Sequence, residues 1–284
     1  MAKSQTSAIN PYIVNPQIAI QMVHLTVDIG NTATKAAIHV VAAEDAVVEA
    51  KSLRTTAPLL HRRVEGHDLA WLSDFVAGHA VDACIVSSTA DITPDIWQHI
   101  SSLGIPHVVR FDHTTPIPLT NCYSTPQTLG PDRLAAAIGA WYENRERTRR
   151  HTPVLIIDVG TAITYDLVTA DGQYLGGNIS PGIQLRFLAL HEHTAHLPLV
   201  EIREAGPEEI GISTSTAILH GVIDGVRHEI EGFIREFSLK NPLLSVFLTG
   251  GDTINFSEST KNRIFADKFL VSKGLDLVLQ HNNQ

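Results

Sequence analysis

The sequence predicts an α/β protein built from two similar lobes with a cleft between them. Three observations carry this expectation. First, an apolar strand, an Asp-x-Gly turn and a second strand occur twice. Leu25–Val27 leads into Asp28-Ile29-Gly30-Asn31-Thr32 and then Ala36–Val41; about 130 residues on, Val154–Ile157 leads into Asp158-Val159-Gly160-Thr161-Ala162 and then Thr164–Val168. This is a hairpin signal. Second, each copy is followed by a turn with more strand and then by helical periodicity. Third, residues 112–128 are rich in Pro, His and Thr with little periodicity, and make a natural boundary between the halves.

The elements follow in order. Residues 1–21 read as a flexible extension, and Met22, standing directly before the first strong strand (His24–Ile29), is an alternative start. Residues 22–122 then form the N-terminal lobe and 123–284 the C-terminal lobe. Further strand is expected at Ala43–Val48 in the first copy and at Gly172–Leu175 in the second. Helices are expected at Leu69–Val76 and Asp95–Ser102, then at Ile183–His193 and Ser213–Phe237. Asp132–Glu146 also reads as a helix, because Leu134, Ile138 and Trp141 recur at spacings of four and three. Val246–Leu248 is a short buried strand ending in Thr249-Gly250-Gly251-Asp252. No period of 20–50 residues marks a solenoid.

Composition narrows the class. At 284 residues the chain is long enough for a core that needs no disulfide or metal. Hydrophobic residues make up 44% and charged residues 18%, as in globular proteins. The formal net charge of −9 and the absence of a long Lys/Arg run argue against a nucleic-acid partner. Arg145–Arg150 reads as the charged end of a helix. An acidic protein that holds phosphate does so with local backbone dipoles. Cys84 sits in an apolar run and reads as a buried small hydrophobe; Cys122 lies in a loop-like stretch, and no disulfide is expected between them. No apolar run approaches the roughly 20 residues that span a bilayer. The N-terminus lacks the basic-then-apolar order of a signal peptide. A cytoplasmic location with no membrane partner is therefore expected.

Five motifs carry chemistry. In Asp28-Ile29-Gly30-Asn31-Thr32-Ala33-Thr34-Lys35 a tight turn exposes N–H groups. Gly30 permits positive φ and close ligand approach, and Lys35 offers a point charge to a phosphate. Asp28 would hold Mg²⁺ through water. The alternative is a hairpin with an exposed lysine. Asp158 to Thr164 repeats the logic, with Gly160 and Thr161 facing phosphate and Asp158 an oxygen ligand for a cation; the alternative is an Asx-turn. In Gly130-Pro131-Asp132-Arg133, Asp132 is either a helix cap or the general base that takes a proton from an attacking hydroxyl. Arg133 offers a bidentate clamp for a carboxylate or phosphate. Gly176 to Gly182 reads as a tight loop entering a helix at Ile183, structural or ligand-facing. Thr249 to Asp252 reads as close backbone approach on a nucleotide's adenosine side, or as packing. His191, His193 and His196 match no familiar metal spacing and read as solvated surface.

Together these residues resemble the type III pantothenate kinases of the actin/sugar-kinase/Hsp70 superfamily. The matching strings are DIGNTATK (28–35), YSTPQTLGPDR (123–133), DVGTAITYD (158–166), YLGGNISPGI (174–183), TAHLPLVEI (194–202), GISTSTAILHG (211–221) and FLTGGD (247–252), in the family's order over about residues 23–255. The resemblance implies two ribonuclease-H-like (actin-like) lobes and ATP-dependent phosphorylation of pantothenate to 4′-phosphopantothenate, the first step towards coenzyme A. It implies that Asp28, Ile29, Gly30, Asn31, Thr32, Ala33, Thr34 and Lys35 hold the ATP phosphates and Mg²⁺, and that Thr161 contacts ATP. Tyr123, Gly130, Pro131, Asp132, Arg133 and Thr214 would contact pantothenate, with Asp132 as proton acceptor. Asp158 would bind a monovalent cation, K⁺ or NH₄⁺. The family forms homodimers in which the partner subunit helps complete the pocket. Three departures stand out: Thr216 replaces a usual serine, the 21-residue extension is unusual, and Pro131 replaces a small residue inside Gly-x-Asp-Arg and fixes φ beside the base. Two other readings remain: another small-molecule kinase or polyphosphate hydrolase of the same fold, and a non-catalytic nucleotide-binding regulator.

Overall fold

The two hydrophobic runs flanking the first Asp-x-Gly turn form β1 (Gln21–Ile29) and β2 (Ala33–Ala42), paired antiparallel with His24 opposite His39 and Asp28 opposite Lys35. The chain is represented by a computed structural model that describes residues 21–42, 53–90, 93–201, 210–251, 254 and 256–283. Strand alternation sorts β1 into two buried faces. Leu25, Val27 and Ile29 pack on Leu72 and Phe75 of α1 (Trp71–Val76) and Ile100 of α2 (Pro94–Ser102), while His24, Thr26 and Asp28 face the other way. β3 (Leu60–Glu65) extends the meander, and β4 (Ala83–Ser88) and β5 (His107–Arg110) add parallel strands, giving the order β3-β2-β1-β4-β5. Cys84 lies fully buried in β4, and burial pushes its thiol up to about 12.

After β6 (Thr120–Asn121) and α3 (Pro131–Thr148), the second half repeats the pattern. β7 (Val154–Val159), β8 (Ala162–Val168) and β9 (Gln173–Pro181) form an antiparallel meander, and β10 (Ser245–Gly250) and β11 (Ile264–Ala266) run parallel to β7. The order β9-β8-β7-β10-β11 is that of the first sheet, with β6 added at the β9 edge. The duplication expected from the two turns is thus present strand for strand. α4 (Ile183–Glu192) and α5 (Thr214–Lys240) cover one face through Phe187, Val222, Val226 and Ile230. α6 (Glu258–Lys261) leads into β11.

Between the sheets lie α3 and α7 (Leu270–Asn282), packed on each other. α7 covers the β1–β4 face of the first sheet and α3 covers β7 and β8 of the second, so the two helices join the sheets. Two glycines set the crossing. A Cβ at Gly274 would lie 1.8 Å from the Ala135 carbonyl oxygen, and one at Gly139 would lie 2.3 Å from that of Leu270. The helices therefore meet backbone to backbone.

The strand expected at Ala43–Val48 lies outside the described residues, as does the extension expected over residues 1–21 except for Gln21, which belongs to β1. The third described strand of the first meander is Leu60–Glu65, which is mostly exposed and carries no apolar alternation. Two expectations change. Gly176 to Pro181 is strand, not loop. A Cβ at Gly177 would lie 1.6 Å from the Tyr165 carbonyl oxygen, so the glycine serves close strand approach; the helix does begin at Ile183. The segment 112–128 also supplies β6 to the second sheet.

Candidate active site

The two Asp-x-Gly turns sit at the carboxyl ends of β1 and β7, where open α/β sheets place their ligands. Each closes on itself: Gly30 N–H donates to the Ala33 carbonyl at 3.0 Å, and Gly160 N–H to that of Ala162 at 3.1 Å. The pairing differs by one residue. Asp28 lies opposite Lys35, whereas Asp158 lies opposite Thr164, so the first turn carries an extra residue. The two turns meet, with the Thr32 and Thr161 hydroxyls 2.9 Å apart across the lobes. Neither glycine adopts positive φ, contrary to the sequence expectation for Gly30. A Cβ at Gly30 would meet only the Ala33 carbonyl at 3.2 Å, and at Gly160 nothing nearer than 3.7 Å. Both turns leave their surfaces open.

Around the turns stand three carboxylates. Asp28 is 7% exposed and accepts from the Ser87 hydroxyl of β4 at 3.3 Å. Burial pushes its carboxyl up to about 7, against Lys35, which lowers it, while the charges of Asp132 and Asp158 raise it further. Burial likewise takes Asp158 up to about 6, opposed by Lys35 and assisted by Asp132 and Asp166. Asp132 is also raised by burial, against the Arg133 N–H, the Arg133 guanidinium and Lys35. Each of the three thus feels Lys35, and Asp132 acts on both others. Asp28 and Lys35 come from one lobe, Asp158 from the other, and Asp132 from the helix between them.

A stability consequence follows for the ligand-free protein. The Asp28 carboxyl lies near 3.8 in an unfolded chain and about 7 here. The folded state thus favours the protonated form, and that contribution is complete below about pH 4 and lost as pH rises through about 7. Asp28→Asn is therefore expected to raise the urea midpoint at pH 8, with a gain that shrinks towards pH 4. A variant less stable than wild type at pH 8 contradicts the electrostatic picture.

Asp132 occupies the second position of α3. Gly130 is the N-cap, without a side-chain cap bond, and Pro131 begins the helix, where its missing N–H costs nothing. Asp132 is thus not the cap. Its Oδ1 accepts from the Arg133 N–H at 2.8 Å, and Oδ2 has no protein donor among the described residues. Arg133 is placed differently from the clamp expected for a ligand. Its Nε lies 3.2 Å from both oxygens of Asp166 and an Nη 2.6 Å from one, and the Tyr174 hydroxyl donates to the same carboxylate at 2.6 Å. The pair is 7% and 1% exposed, so the guanidinium is an internal strut. Tyr123 rests beside it, 5.7 Å from the Arg133 guanidinium and against Gly176, where a Cβ would lie 2.8 Å from its ring. Asp166 and Ser87 escaped sequence reasoning; the available signal for Asp166 was a carboxylate inside an otherwise apolar strand.

Gly182 brings the N-terminus of α4 to the second turn. Its N–H donates to the Thr161 carbonyl at 3.0 Å, and a Cβ there would lie 2.1 Å from the Gly160 carbonyl oxygen. Gly250 does the same for β10, with φ at 112° and a Cβ 2.2 Å from the Val159 carbonyl oxygen; Asp252 lies outside the described residues. Thr214 stands apart. It is exposed on the first turn of α5, beside a groove of about 690 Å³ between α4 and α5, and shares no hydrogen bond with the Asp132 region among the described residues. The Thr216 hydroxyl closes a capping box with Ser213, accepting its N–H at 2.9 Å, a task threonine and serine share. His191, His193 and His196 are exposed, with the His191 Nδ1 2.9 Å from the Leu197 carbonyl oxygen.

Comparison with known proteins gives the same direction. A model of the family "Type III pantothenate kinase" matches residues 24–236. A type III pantothenate kinase of Phocaeicola vulgatus is 39% identical over 262 residues, 92% of this chain and 99% of that protein. One from Bacteroides fragilis is 44% identical over 203 residues, 72% of this chain and 81% of that protein. Among solved structures, a Campylobacter jejuni protein assigned to a Baf family of transcriptional activators superposes with TM-score 0.51 at 19% identity, covering 91% of this chain and 98% of that one. The activator of 2-hydroxyisocaproyl-CoA dehydratase from Clostridium difficile, with bound ADPNP, superposes with TM-score 0.50 at 12% identity, covering 92% and 97%. These two likenesses bear on fold alone, and the fold is the two-lobed actin-like one. The chain belongs to the type III pantothenate kinase family.

Proposed function

We propose that this chain transfers the γ-phosphoryl group of ATP to the primary hydroxyl of pantothenate, giving ADP and 4′-phosphopantothenate, by in-line displacement with Asp132 as general base. One observation supports this above others: Asp28, Asp132 and Asp158, drawn from both lobes and the helix between them, gather around Lys35 where the two open turns meet. Phosphoryl transfer needs positioning and charge compensation more than covalent chemistry, and these parts supply both. The backbone of residues 28–35 and Thr161 cradle the phosphates. Lys35 stabilises negative charge on them, and the α4 N-terminus adds its dipole beside Thr161. Asp132, raised by burial yet hydrogen-bonded at one oxygen only, keeps Oδ2 to accept the proton of the attacking hydroxyl. Tyr123 and the Gly130–Arg133 turn shape the acceptor side, and the Asp166 strut holds Arg133 and the start of α3 in place.

The donor set suits cations. Three carboxylates against one lysine leave the site negatively charged, and all donors are hard oxygens. Among the described residues no three His, Cys, Asp or Glu side chains form a group that could hold a metal ion by themselves. Asp28 would hold Mg²⁺ through water and Asp158 a monovalent cation, K⁺ or NH₄⁺. Such ions neutralise charge on the phosphates. Thr214 lies on the groove between α4 and α5, and we assign it to the acceptor pocket of a partner subunit in a homodimer. No helix among the described residues is long and apolar enough to cross a membrane, and a cytoplasmic location suits this metabolism.

ADP release measured with and without pantothenate tests the reading. Release stimulated by pantothenate and by K⁺ over Na⁺ is expected. Nucleotide binding without pantothenate-stimulated release would point instead to a regulator, and stimulation by other alcohols alone to a different kinase.

A further inference from the structure

The first sheet carries a second buried polar cluster, which the chemistry above does not use. On the α7-facing side of β1, His24 follows the same alternation as Thr26 and Asp28. Its Nδ1 lies 2.7 Å from Oδ1 of Asp276 on α7. The other Asp276 oxygen accepts from Gln280 at 2.8 Å and from the Thr56 hydroxyl at 3.3 Å. His39, directly opposite His24, lies 3.9 Å from that oxygen and 3.2 Å from the Thr56 carbonyl. His24 and Asp276 are 1% exposed or less, and neither histidine's Nε2 has a partner. Each imidazole is therefore held at one nitrogen only, and the bond from His24 to Asp276 is the directional link between β1 and α7.

That link lies on the path between the reacting groups. Asp28 is on β1, four residues from His24 on the same face, so it sits about 13 Å along the strand. Asp132 is on α3, and α3 is locked to α7 at Gly274 and Gly139 without side chains between them. β1 turns the polar residues His24 and Thr26 towards α7, and the His24–Asp276 bond joins the two, whereas α7 and α3 meet backbone to backbone. We propose that the His24–Asp276 pair is a positioning pair for phosphoryl transfer, fixing β1 on α7 and so the separation of Asp28 and its phosphates from Asp132. The inference rests on the assignment of Asp28 and Asp132 to one reaction.

The experiment separates positioning from mere stability. His24→Leu and Asp276→Leu each leave one polar partner buried and lose stability. The double variant replaces the pair with apolar groups, a change that is often neutral or stabilising. The groups around it keep partners, since Gln280 still donates to the Arg54 carbonyl and His39 still faces Thr56. The double variant is expected to regain most of the wild-type urea midpoint. Its kcat is nevertheless expected to stay at least tenfold low, with the KM for ATP within about twofold, because small misplacement of reacting groups is costly. Asp276→Asn, which still accepts a hydrogen bond from His24, is expected to restore kcat to within about threefold. A double variant whose kcat recovers with its stability, or an Asp276→Asn variant as slow as Asp276→Leu, overturns the proposal. Wild type without pantothenate-dependent turnover would instead remove the assignment on which it rests.

Discussion

Asp132→Asn is expected to lower pantothenate-dependent turnover by about 10²–10⁴-fold, the usual worth of a positioned general base. The substitution keeps the shape of the side chain and an oxygen that can accept from the Arg133 N–H, so α3 should start as before. What it removes is the only group at this turn that can take a proton. It also removes a negative charge that raises both Asp28 and Asp158. Affinity for a non-hydrolysable ATP analogue should therefore hold or improve, because two carboxylates remain where there were three. Single-turnover kinetics and calorimetry read the two effects separately. Turnover within tenfold of wild type contradicts the base assignment.

Asp166→Ala is expected to destabilise the fold by about 3–5 kcal/mol, the cost of leaving one member of a buried ion pair alone. Arg133 is 7% exposed and directs its Nε and one Nη at this carboxylate, and the Tyr174 hydroxyl donates to it as well. The change strands all of these donors away from water. Asp166→Asn should cost less, since an amide oxygen still accepts. The urea midpoint is the readout, with near-wild-type stability of the alanine variant as the contrary result. Asp166 also raises Asp132, so its loss should move the acid limb of the pH–rate profile down.

Much of the fold was legible because its two halves announce themselves by the same local grammar. Apolar run, Asp-x-Gly and apolar run fixed β1, β2, β7 and β8, and periodicity found α3 and α5. β3 was invisible because its residues, Leu-His-Arg-Arg-Val-Glu, are largely solvated and owe their strand state to pairing with β2. Gly176 and Gly177 were misread because a glycine pair looks alike in a loop and at a close strand crossing; only the Tyr165 carbonyl beside Gly177 distinguishes them. For the candidate site, motif and spacing singled out Asp28, Asp132 and Asp158, which the fold brings within electrostatic reach of one another. The commitment of Arg133 to Asp166 was not, because it depends on two strands and a helix that meet 33 residues apart in sequence. Asp276 was hidden for the same reason, 252 residues from His24.

The meeting of two turns from different lobes over one triphosphate is tested most directly by calorimetric titration of a non-hydrolysable ATP analogue with Mg²⁺. One molecule per chain is expected to bind, and both Lys35→Ala in the first lobe and Thr161→Ala in the second should weaken that single event. Two independent binding events, or one that responds to substitution in only one lobe, would show that the turns do not share a ligand.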